Sequence, residues 1–313
     1  MTLTHILKLS LVSLCTFAII SPVSAQISEE IPAGTFKESH KSELTADGPN
    51  TGKKSYQLIR KVFGPKSIEA PDLYRGNHTE SLHILEGQDD IVGPHFIFLS
   101  HLDEDRDRDK KDITDRQRNE IKVYDKSKPG LKAYKNETMQ YRWKFKIGND
   151  FELSKNFTHF FQIKAKNVNK NSDSRDSDKF PVVTFTAVDR GEKGNEFQLR
   201  HSPSLTPDGK RLKSSKLVRK DMALFADKWV EFFVQTTFSD QGQLIVQAKD
   251  VETGELLIDF KADNIDMWRG ESRQDFSRPK WGIYRSIKEK SSLRSQEEKA
   301  YFADFSIRKG VLK

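Results

Sequence analysis

Residues 141–147 read Tyr-Arg-Trp-Lys-Phe-Lys-Ile, so an apolar side chain stands at every second position. Strict alternation over about four to eight residues is the pattern of a β-strand with one buried face. Helical patterns are scarce, and turn sequences separate further runs of this kind at 157–166, 182–188, 196–201, 229–238, 244–250, 256–261, 280–285 and 301–307. The sequence therefore predicts an all-β fold, a concanavalin-like β-jelly roll of two antiparallel sheets with few short helices.

Three segments divide the 313 residues. Residues 1–25 combine Lys8, an apolar run and the small-residue site Val23-Ser24-Ala25, which predicts a signal peptide and a secreted or periplasmic protein. Residues 26–55 are polar and lack periodicity, which predicts an N-terminal arm or linker. Residues 56–313 show no break in composition, so we expect one β-jelly-roll catalytic domain.

Charge and cysteine usage narrow the function classes. The chain has 53 Lys+Arg against 46 Asp+Glu, a formal net charge of +7, and its one cysteine, Cys15, lies in the predicted signal. Disulfides, thiolate metal sites and cysteine nucleophiles are thereby excluded from the predicted mature chain. The basic balance suggests an anionic partner, although ordinary solubility explains the same charge. Basic residues are interleaved with acidic ones and no aromatic stacking platform is evident, so nucleic acid is not expected as a partner. No second long apolar segment is present, so a membrane is not expected either. We expect a monomer.

Familiar catalytic and metal motifs are missing. The chain lacks Gly-x-Ser-x-Gly, His-Glu-x-x-His, a phosphate-binding loop and a Glu-x-Asp-x-x-Glu strand, which weakens the hypothesis of a two-carboxylate hydrolase. Asp103, Asp105, Asp107 and Asp109 recur at every second position and suggest a calcium loop. No glycine marks the required turn and basic residues intervene, so a solvated loop is favoured. No metal ligands are assigned, no cofactor is required, and a structural calcium ion is left open.

Three segments place polar side chains on one face of a strand. Arg116, Arg118, Glu120 and Lys122 share a face, as do Gln162, Lys164 and Lys166, and likewise Lys280, Gly282 and Tyr284, where Gly282 leaves room for a ligand. A cationic cleft of this kind suits β-elimination from a uronic acid, which requires neutralisation of a carboxylate and proton transfer at C5 and O4. Arg118, Gln162 and Lys164 are candidates to bind the carboxylate, and Tyr284 is the candidate base, acid or both.

The same segments resemble the strands of jelly-roll polysaccharide lyases, the alginate, glucuronan, heparin and ulvan lyase group. Arg118-Asn119-Glu120-Ile121 resembles the Arg-[Ser/Thr]-Glu-[Leu/Val] strand of alginate lyases. Gln162-Ile163-Lys164 resembles their Gln-Ile-[His/Val/Ile] strand, and residues 280–284 resemble their Lys-Ala-Gly-Val-Tyr strand. Residues 69–72 and 266–269 resemble ulvan-lyase-like members most. The resemblance implies a lyase acting on an acidic polysaccharide, with ulvan the first choice and glucuronan or heparin-like chains next. It implies that Arg118 binds the carboxylate, Gln162 helps to neutralise it and Tyr284 is the acid/base.

Lys164 departs from that pattern, because several alginate lyases carry the histidine base at this position. The base is then Tyr284 or a histidine: His201 at a strand end, His95, or His159, which alternation places on the face opposite Gln162. Further candidates for substrate binding are Arg116, Asn119, Lys122, Lys166, Arg200, Trp268 and Lys280. A non-catalytic carbohydrate-binding jelly roll and a glycoside hydrolase on the same fold are the alternatives.

Overall fold

The computed structural model describes residues 36–51, 53–168, 178–204 and 213–312. These ranges contain fifteen strands: β1 (Phe36–Leu44), β2 (Ile68–Glu69), β3 (Ile84–Asp89), β4 (Gly93–Ser100), β5 (Arg116–Lys122), β6 (Thr138–Ile147), β7 (Thr158–Lys166), β8 (Val183–Asp189), β9 (Asn195–His201), β10 (Ser215–Asp221), β11 (Val230–Thr237), β12 (Gly242–Asp250), β13 (Leu256–Ile265), β14 (Phe276–Ser286) and β15 (Glu298–Leu312). The α-helix α1 spans Ser55–Phe63, and short 3-10 helices span Pro71–Leu73, Pro129–Leu131, Gly191–Lys193, Met222–Leu224 and Lys290–Ser292.

The strands form two antiparallel sheets. The seven-stranded cleft sheet has the order β10-β9-β8-β7-β14-β5-β2. The outer sheet has eight strands in the order β13-β12-β11-β6-β15-β4-β3, with β1 paired to β15. This arrangement confirms the predicted all-β sandwich of two antiparallel sheets.

Aromatic side chains fill the space between the sheets. Trp143 on β6 of the outer sheet stacks on Phe161 of β7, with ring centroids 4.5 Å apart, and meets Trp281 of β14 at 5.9 Å. All three side chains are almost fully buried. Each such burial stabilises the fold by on the order of 2–3 kcal/mol, so the alternating apolar positions fix which face of each strand is turned inward.

The structure corrects the predicted arm at 26–55 from Phe36 onward. β1 pairs with β15 from Phe36↔Leu312 to Leu44↔Phe305 and buries Leu44. Its other side chains are mostly polar and exposed, so the hydrophobic period was too weak to reveal a strand. Helix α1 follows and buries Tyr56, Ile59 and Phe63. The predicted signal peptide lies outside the described residues.

No helix in the described ranges is long and apolar enough to cross a membrane.

Candidate active site

A cavity of about 330 Å³ opens on the face of the cleft sheet that points away from the outer sheet. Its walls come from β5, β7, β8, β9, β14 and the loops beside them. The lining residues are Arg116, Phe157, His159, Gln162, Lys164, Lys179, Phe180, Pro181, Thr184, Arg200, Ser202, Ser214 and Tyr284. None of these described lining residues is acidic, so the cavity suits an anionic ligand.

Tyr284 is held between two guanidinium groups. It pairs directly with Arg118 of β5, whose guanidinium carbon lies 3.7 Å from the centroid of the phenol ring. Arg116 Nη1 donates to the phenol oxygen at 3.1 Å, and Asp115 fixes Arg116 through two hydrogen bonds of 2.6 and 2.8 Å. The cation on the ring face and the charged donor on the oxygen fix the orientation of the phenol in the cavity wall. The phenol is therefore positioned for proton transfer.

Arg118 itself is occupied by carboxylates. Its Nε and Nη2 donate to Asp107 at 2.7 and 3.2 Å, and its Nη1 donates to Glu120. The side chain is buried, so a substrate carboxylate would have to displace an existing partner. This corrects the prediction that Arg118 binds the substrate. Its guanidinium instead packs on the face of the Tyr284 ring.

Lys122 and Lys280 are buried in the same ion network. Lys280 Nζ lies 2.8 Å from Glu69 and 2.5 Å from Glu120, and Lys122 Nζ lies 2.6 Å from Glu69. Burial raises the pKa of Glu69, but Lys280, Arg118 and Lys122 together hold that pKa well below its ordinary value. Both lysines were predicted to bind substrate, and this too is corrected, since neither lines the cavity.

Gly282 has a different role from the one predicted. Its φ is +136°, and a Cβ built on it would lie 2.2 Å from the Asn119 carbonyl oxygen of β5. The missing side chain thus allows close approach of two backbones instead of leaving room for a ligand. Glu120 lies opposite Gly282 in the register and accepts hydrogen bonds from Arg118, Gln162 and Lys280.

Lys164 on β7 lines the cavity, as does Lys179 in the loop before β8. Within the described ranges Lys164 forms no hydrogen bond or ion pair, in contrast to Lys122 and Lys280. Burial lowers the pKa of Lys164 to about 7, and the positive charges of Lys280 and Arg118 contribute to the shift. Much of this side chain is therefore a free amine near neutral pH, a form that accepts a proton.

His159 also lines the cavity, contrary to the alternation of the sequence. The register of β7 against β8 shifts between His159 and Phe161, so Phe160 is an extra residue in the strand. Phe160 and Phe161 are both buried in the core, and His159 turns to the cleft face. There its Nδ1 lies 2.8 Å from Thr186 Oγ1, and its ring lies 5.9 Å from that of Tyr284. Burial and the nearby Arg200 hold its pKa well below the ordinary value, so the imidazole is neutral.

Two of the other predicted residues remain in the cavity wall. Gln162 donates its amide to Glu120, which orients the side chain. Arg200 on β9 donates Nε to Gln198 at 2.6 Å. Burial lowers the pKa of Arg200, and the charge of Arg190 adds to this effect. The guanidinium of Arg200 is thus hydrogen-bonded to a neutral side chain, whereas that of Arg116 in the same cavity wall is paired with a carboxylate.

The histidine alternatives lie elsewhere. His201 is on the opposite face of β9 from Arg200, and its Nε2 lies 2.6 Å from the Asp266 carbonyl oxygen. His95 belongs to β4 of the outer sheet and packs against Trp229 and Tyr301. Neither lines the cavity, so both predictions are corrected.

Three substrate-binding predictions are corrected for the same reason. Asn119 is buried, and its amide donates to the carbonyl oxygens of His83 and Leu99. Trp268 is 4% exposed and belongs to the core, with its Nε1 hydrogen-bonded to the Gly270 carbonyl at 2.7 Å. Lys166 donates to the Asn167 carbonyl at 3.1 Å and lies outside the cavity wall.

The alternating aspartates do not form one calcium loop. Asp103 lies at the surface, 3.3 Å from Lys290. Asp105 and Asp107 are buried, but Asp107 pairs with Arg118 and Asp105 meets a group of histidines. The solvated loop that the sequence favoured is also wrong at these two positions, because each carboxylate finds a cationic or imidazole partner inside the protein.

In sequence, no protein-family model matches the chain, and no curated protein matches it. In structure, the chain is similar to the endo-β-1,4-glucuronan lyase from the fungus Trichoderma reesei, with a TM-score of 0.51, 11% identity, and coverage of 88% of this chain and 96% of the lyase. It is also similar to a marine alginate lyase from Aplysia kurodai, with a TM-score of 0.53, 13% identity, and coverage of 85% of this chain and 97% of that lyase. The alginate lyase Aly36B has a TM-score of 0.51 and 11% identity, with coverage of 87% of this chain and 98% of that lyase. At these identities the likeness establishes the fold, a jelly-roll sandwich.

Proposed function

We propose that the protein is a polysaccharide lyase that cleaves a uronic-acid-containing polymer by β-elimination. The observation that carries the proposal is Tyr284, fixed between two guanidinium groups, with the neutral imidazole of His159 beside it at a ring distance of 5.9 Å, in one cationic cavity. The lyases with the same fold support it as neighbours in architecture. A two-carboxylate hydrolase is disfavoured, because the described cavity wall holds no acid.

The proposed reaction uses the residues in the following way. Arg200 and Gln162 bind the uronate carboxylate, which makes the C5 proton more acidic. The neutral imidazole of His159, which lies beside Tyr284, removes that proton, and the C5–H electron pair forms the C4–C5 double bond as the C4–O4 bond breaks. Tyr284 gives its proton to O4 of the departing chain. The products are an unsaturated uronate end and a new hydroxyl, with no co-reactant consumed.

Lys164 is the second candidate base, because part of it is a free amine near neutral pH. In the register it lies opposite Arg278, six residues from Tyr284, so its proposed role is to attract the anionic polymer. Replacing the true base abolishes turnover, whereas replacing a residue that only attracts the substrate weakens turnover about tenfold or less. Comparison of His159→Gln with Lys164→Ala therefore assigns the base, and loss of turnover in Lys164→Ala alone would transfer the role to the lysine.

A sulfated polyuronate is the proposed substrate class, with ulvan the first choice, followed by glucuronan and heparin-like chains. Arg190 and Lys216 extend the positive potential of Arg200 beyond the cavity. Beyond the effect of burial, the charge of Arg190 lowers the pKa of Arg200, and the charges of Arg190 and Arg200 lower the pKa of Lys216, so the three side chains are close enough to interact. Sulfate groups on neighbouring sugars would meet this region. Export is part of the proposal, as the first 25 residues predict, because a long polymer is degraded outside the cell.

An ultraviolet-absorbance screen over ulvan, glucuronan, alginate and glycosaminoglycans tests the reaction type. A lyase gives absorbance from the new double bond; reducing ends without absorbance would mean a hydrolase, and binding without either a carbohydrate-binding module. On the active polymer, Tyr284→Phe keeps the ring on Arg118 but removes the transferable proton. We expect kcat to fall at least about a thousandfold with substrate binding retained. Tyr301→Phe in the outer sheet is the matched control, and normal turnover by Tyr284→Phe would refute the mechanism.

A further inference from the structure

Three histidines surround one buried carboxylate beside the cleft sheet. His78 Nδ1 lies 3.2 Å and His83 Nε2 2.9 Å from Asp105 Oδ1, and His101 Nδ1 lies 3.4 Å from Asp105 Oδ2. The four candidate ligand atoms all lie within 4.8 Å of one another. His101 Nδ1 is buried yet makes no hydrogen bond. The polar atoms thus converge on one point, where hydrogen bonds satisfy the nitrogens of His78 and His83 but leave His101 Nδ1 without one.

The three imidazole rings enclose that point from different directions. Their centroids are 4.8–5.1 Å apart, and their planes cross at 80–88°. Nearly perpendicular rings can direct one nitrogen each toward a common centre without steric overlap. The residues come from the loop before β3, the end of β4 and the loop before β5, so the fold assembles the group from three chain segments.

A carboxylate holds the far nitrogen of each ring. Asp72 lies 3.1 Å from His83 Nδ1, Glu297 lies 2.9 Å from His101 Nε2, and Glu104 lies 2.8 Å from His78 Nε2. Histidines that ligate metals characteristically donate their second N–H to a carboxylate or carbonyl, which fixes the ring and its tautomer. Here all three histidines have such a partner, an arrangement that a surface cluster does not require.

We propose that His78, His83, His101 and Asp105 bind a divalent transition metal, with zinc the first candidate. Three imidazole nitrogens and one carboxylate oxygen form a ligand set of the type zinc prefers, whereas calcium takes oxygen ligands. Tetrahedral zinc with bonds of about 2.0–2.1 Å needs ligand atoms about 3.4 Å apart, and the four atoms lie within 4.8 Å of one another. Small side-chain movements, in which the Asp105 oxygen moves slightly away from His78 and His83, would complete the site. Four protein ligands leave no open position, which makes the site structural.

The metal would fix the loop that supports Tyr284. Asp107, two residues after Asp105, forms the bidentate pair with Arg118. Gln117 of β5 donates to the His101 carbonyl, and the Asn119 amide donates to the His83 carbonyl. A metal at this point would therefore link the start of β3 and the end of β4 to β5. The proposal of a metal site does not depend on the reaction proposed for the cleft.

The test measures metal content and thermal stability of the untagged protein equilibrated with zinc and then dialysed. We expect about one zinc per chain, and removal by a chelator should lower Tm by roughly 5 °C or more, with recovery on zinc but not calcium addition. Cobalt in place of zinc should give the visible absorption of a tetrahedral ion. His78→Gln, at the partly exposed ligand, should lose the metal; His40→Gln on β1 is the control.

Two results would overturn the proposal. Wild-type protein that retains no zinc and shows no Tm increase with zinc would mean that the histidines and Asp105 form a hydrogen-bonded cluster only. Stoichiometric zinc in both His78→Gln and Asp105→Asn would mean that the metal binds elsewhere. The cobalt spectrum of the wild-type protein decides the ligand geometry even where a variant fails to fold.

Discussion

Lys164 differs from the other lysines of the cleft sheet by its neighbours. Lys122 and Lys280 each form an ion pair with at least one buried carboxylate, whereas Lys164 is near the cations Lys280, Arg118 and Arg278, which outweigh the more weakly acting carboxylate of Asp178. Folding therefore places an ammonium in a buried, cationic environment that disfavours it. The same features that leave this lysine available to an anionic substrate reduce the stability of the folded chain.

Replacing Lys164 by methionine should weaken substrate binding and stabilise the protein. The pKa of Lys164 is about 7 in the folded chain against an ordinary 10.5. As pH falls from 10.5 to 7, the unfolded chain gains the proton first, so Lys164 costs stability progressively and most below pH 7. We expect Lys164→Met to raise the free energy of unfolding by on the order of 1–3 kcal/mol at pH 6 and by less at pH 9.

Urea denaturation at the two pH values measures this difference. Lys166→Met, two positions along β7 and outside the cavity wall, is the matched control and should change stability little at either pH. In the wild type, KM should rise above pH 7 as Lys164 loses the charge that attracts the polymer. A Lys164→Met protein that is less stable than wild type at pH 6, or that has an unchanged KM at pH 6, would contradict the role assigned to this lysine.

At the scale of the strands, β14 depends on Gly282. An added Cβ would lie 2.2 Å from Asn119 O and 2.8 Å from Glu120 Cα, in a backbone conformation that L-residues rarely adopt. We expect Gly282→Ala to lower the free energy of unfolding by on the order of 2–4 kcal/mol and to impair turnover, because Tyr284 and Glu120 shift. Gly191 also has a positive φ, but no atom lies within 4 Å of an added Cβ there. Gly191→Ala should therefore lower the free energy of unfolding by only about 1 kcal/mol. Equal effects of the two changes would mean that close approach to β5 is unimportant.

The sequence predicted strand faces well where alternation is regular and badly where it is not. Gln162, Lys164 and Tyr284 follow the period of two and lie where the pattern placed them. His159 was assigned to the wrong face because one extra residue, Phe160, changes the phase, and two adjacent phenylalanines give no local sign of a bulge.

The partners of the cleft-sheet cations were also hidden from the sequence. Arg118 and Lys280 lie on the predicted face, but Glu69 and Asp107 come from segments far from β14 and neutralise them. A side chain's face is a local property, which periodicity reveals. Its counter-ion depends on tertiary packing, so the pattern could not distinguish Lys164 from Lys280.

At the scale of the whole molecule, the location of charge matters more than its sum. The formal net charge of +7 is small for 313 residues, and buried pairs such as those of Glu69 and Glu120 neutralise many cations. The cavity wall, by contrast, combines Arg116, Lys164 and Arg200 with no described acid. A polyanion is therefore attracted to this one region, through forces that dissolved salt weakens.

Activity on the polymer should consequently depend on ionic strength through KM. Raising salt from about 0.05 M to 0.5 M shortens the screening length severalfold, and we expect KM to rise about tenfold with kcat nearly unchanged. Arg200→Gln should raise KM at low salt and flatten this dependence, because it removes a cation that faces the substrate. Arg219→Gln on the neighbouring β10 is the matched control, since Arg219 is held by Glu196 at 2.6–2.8 Å and should leave the dependence unaltered. Steady-state rates on each variant across salt concentrations measure the effect. A KM insensitive to salt in the wild type would place substrate recognition in contacts other than these charges, because a cation-lined cavity binding a polyanion has to respond to screening.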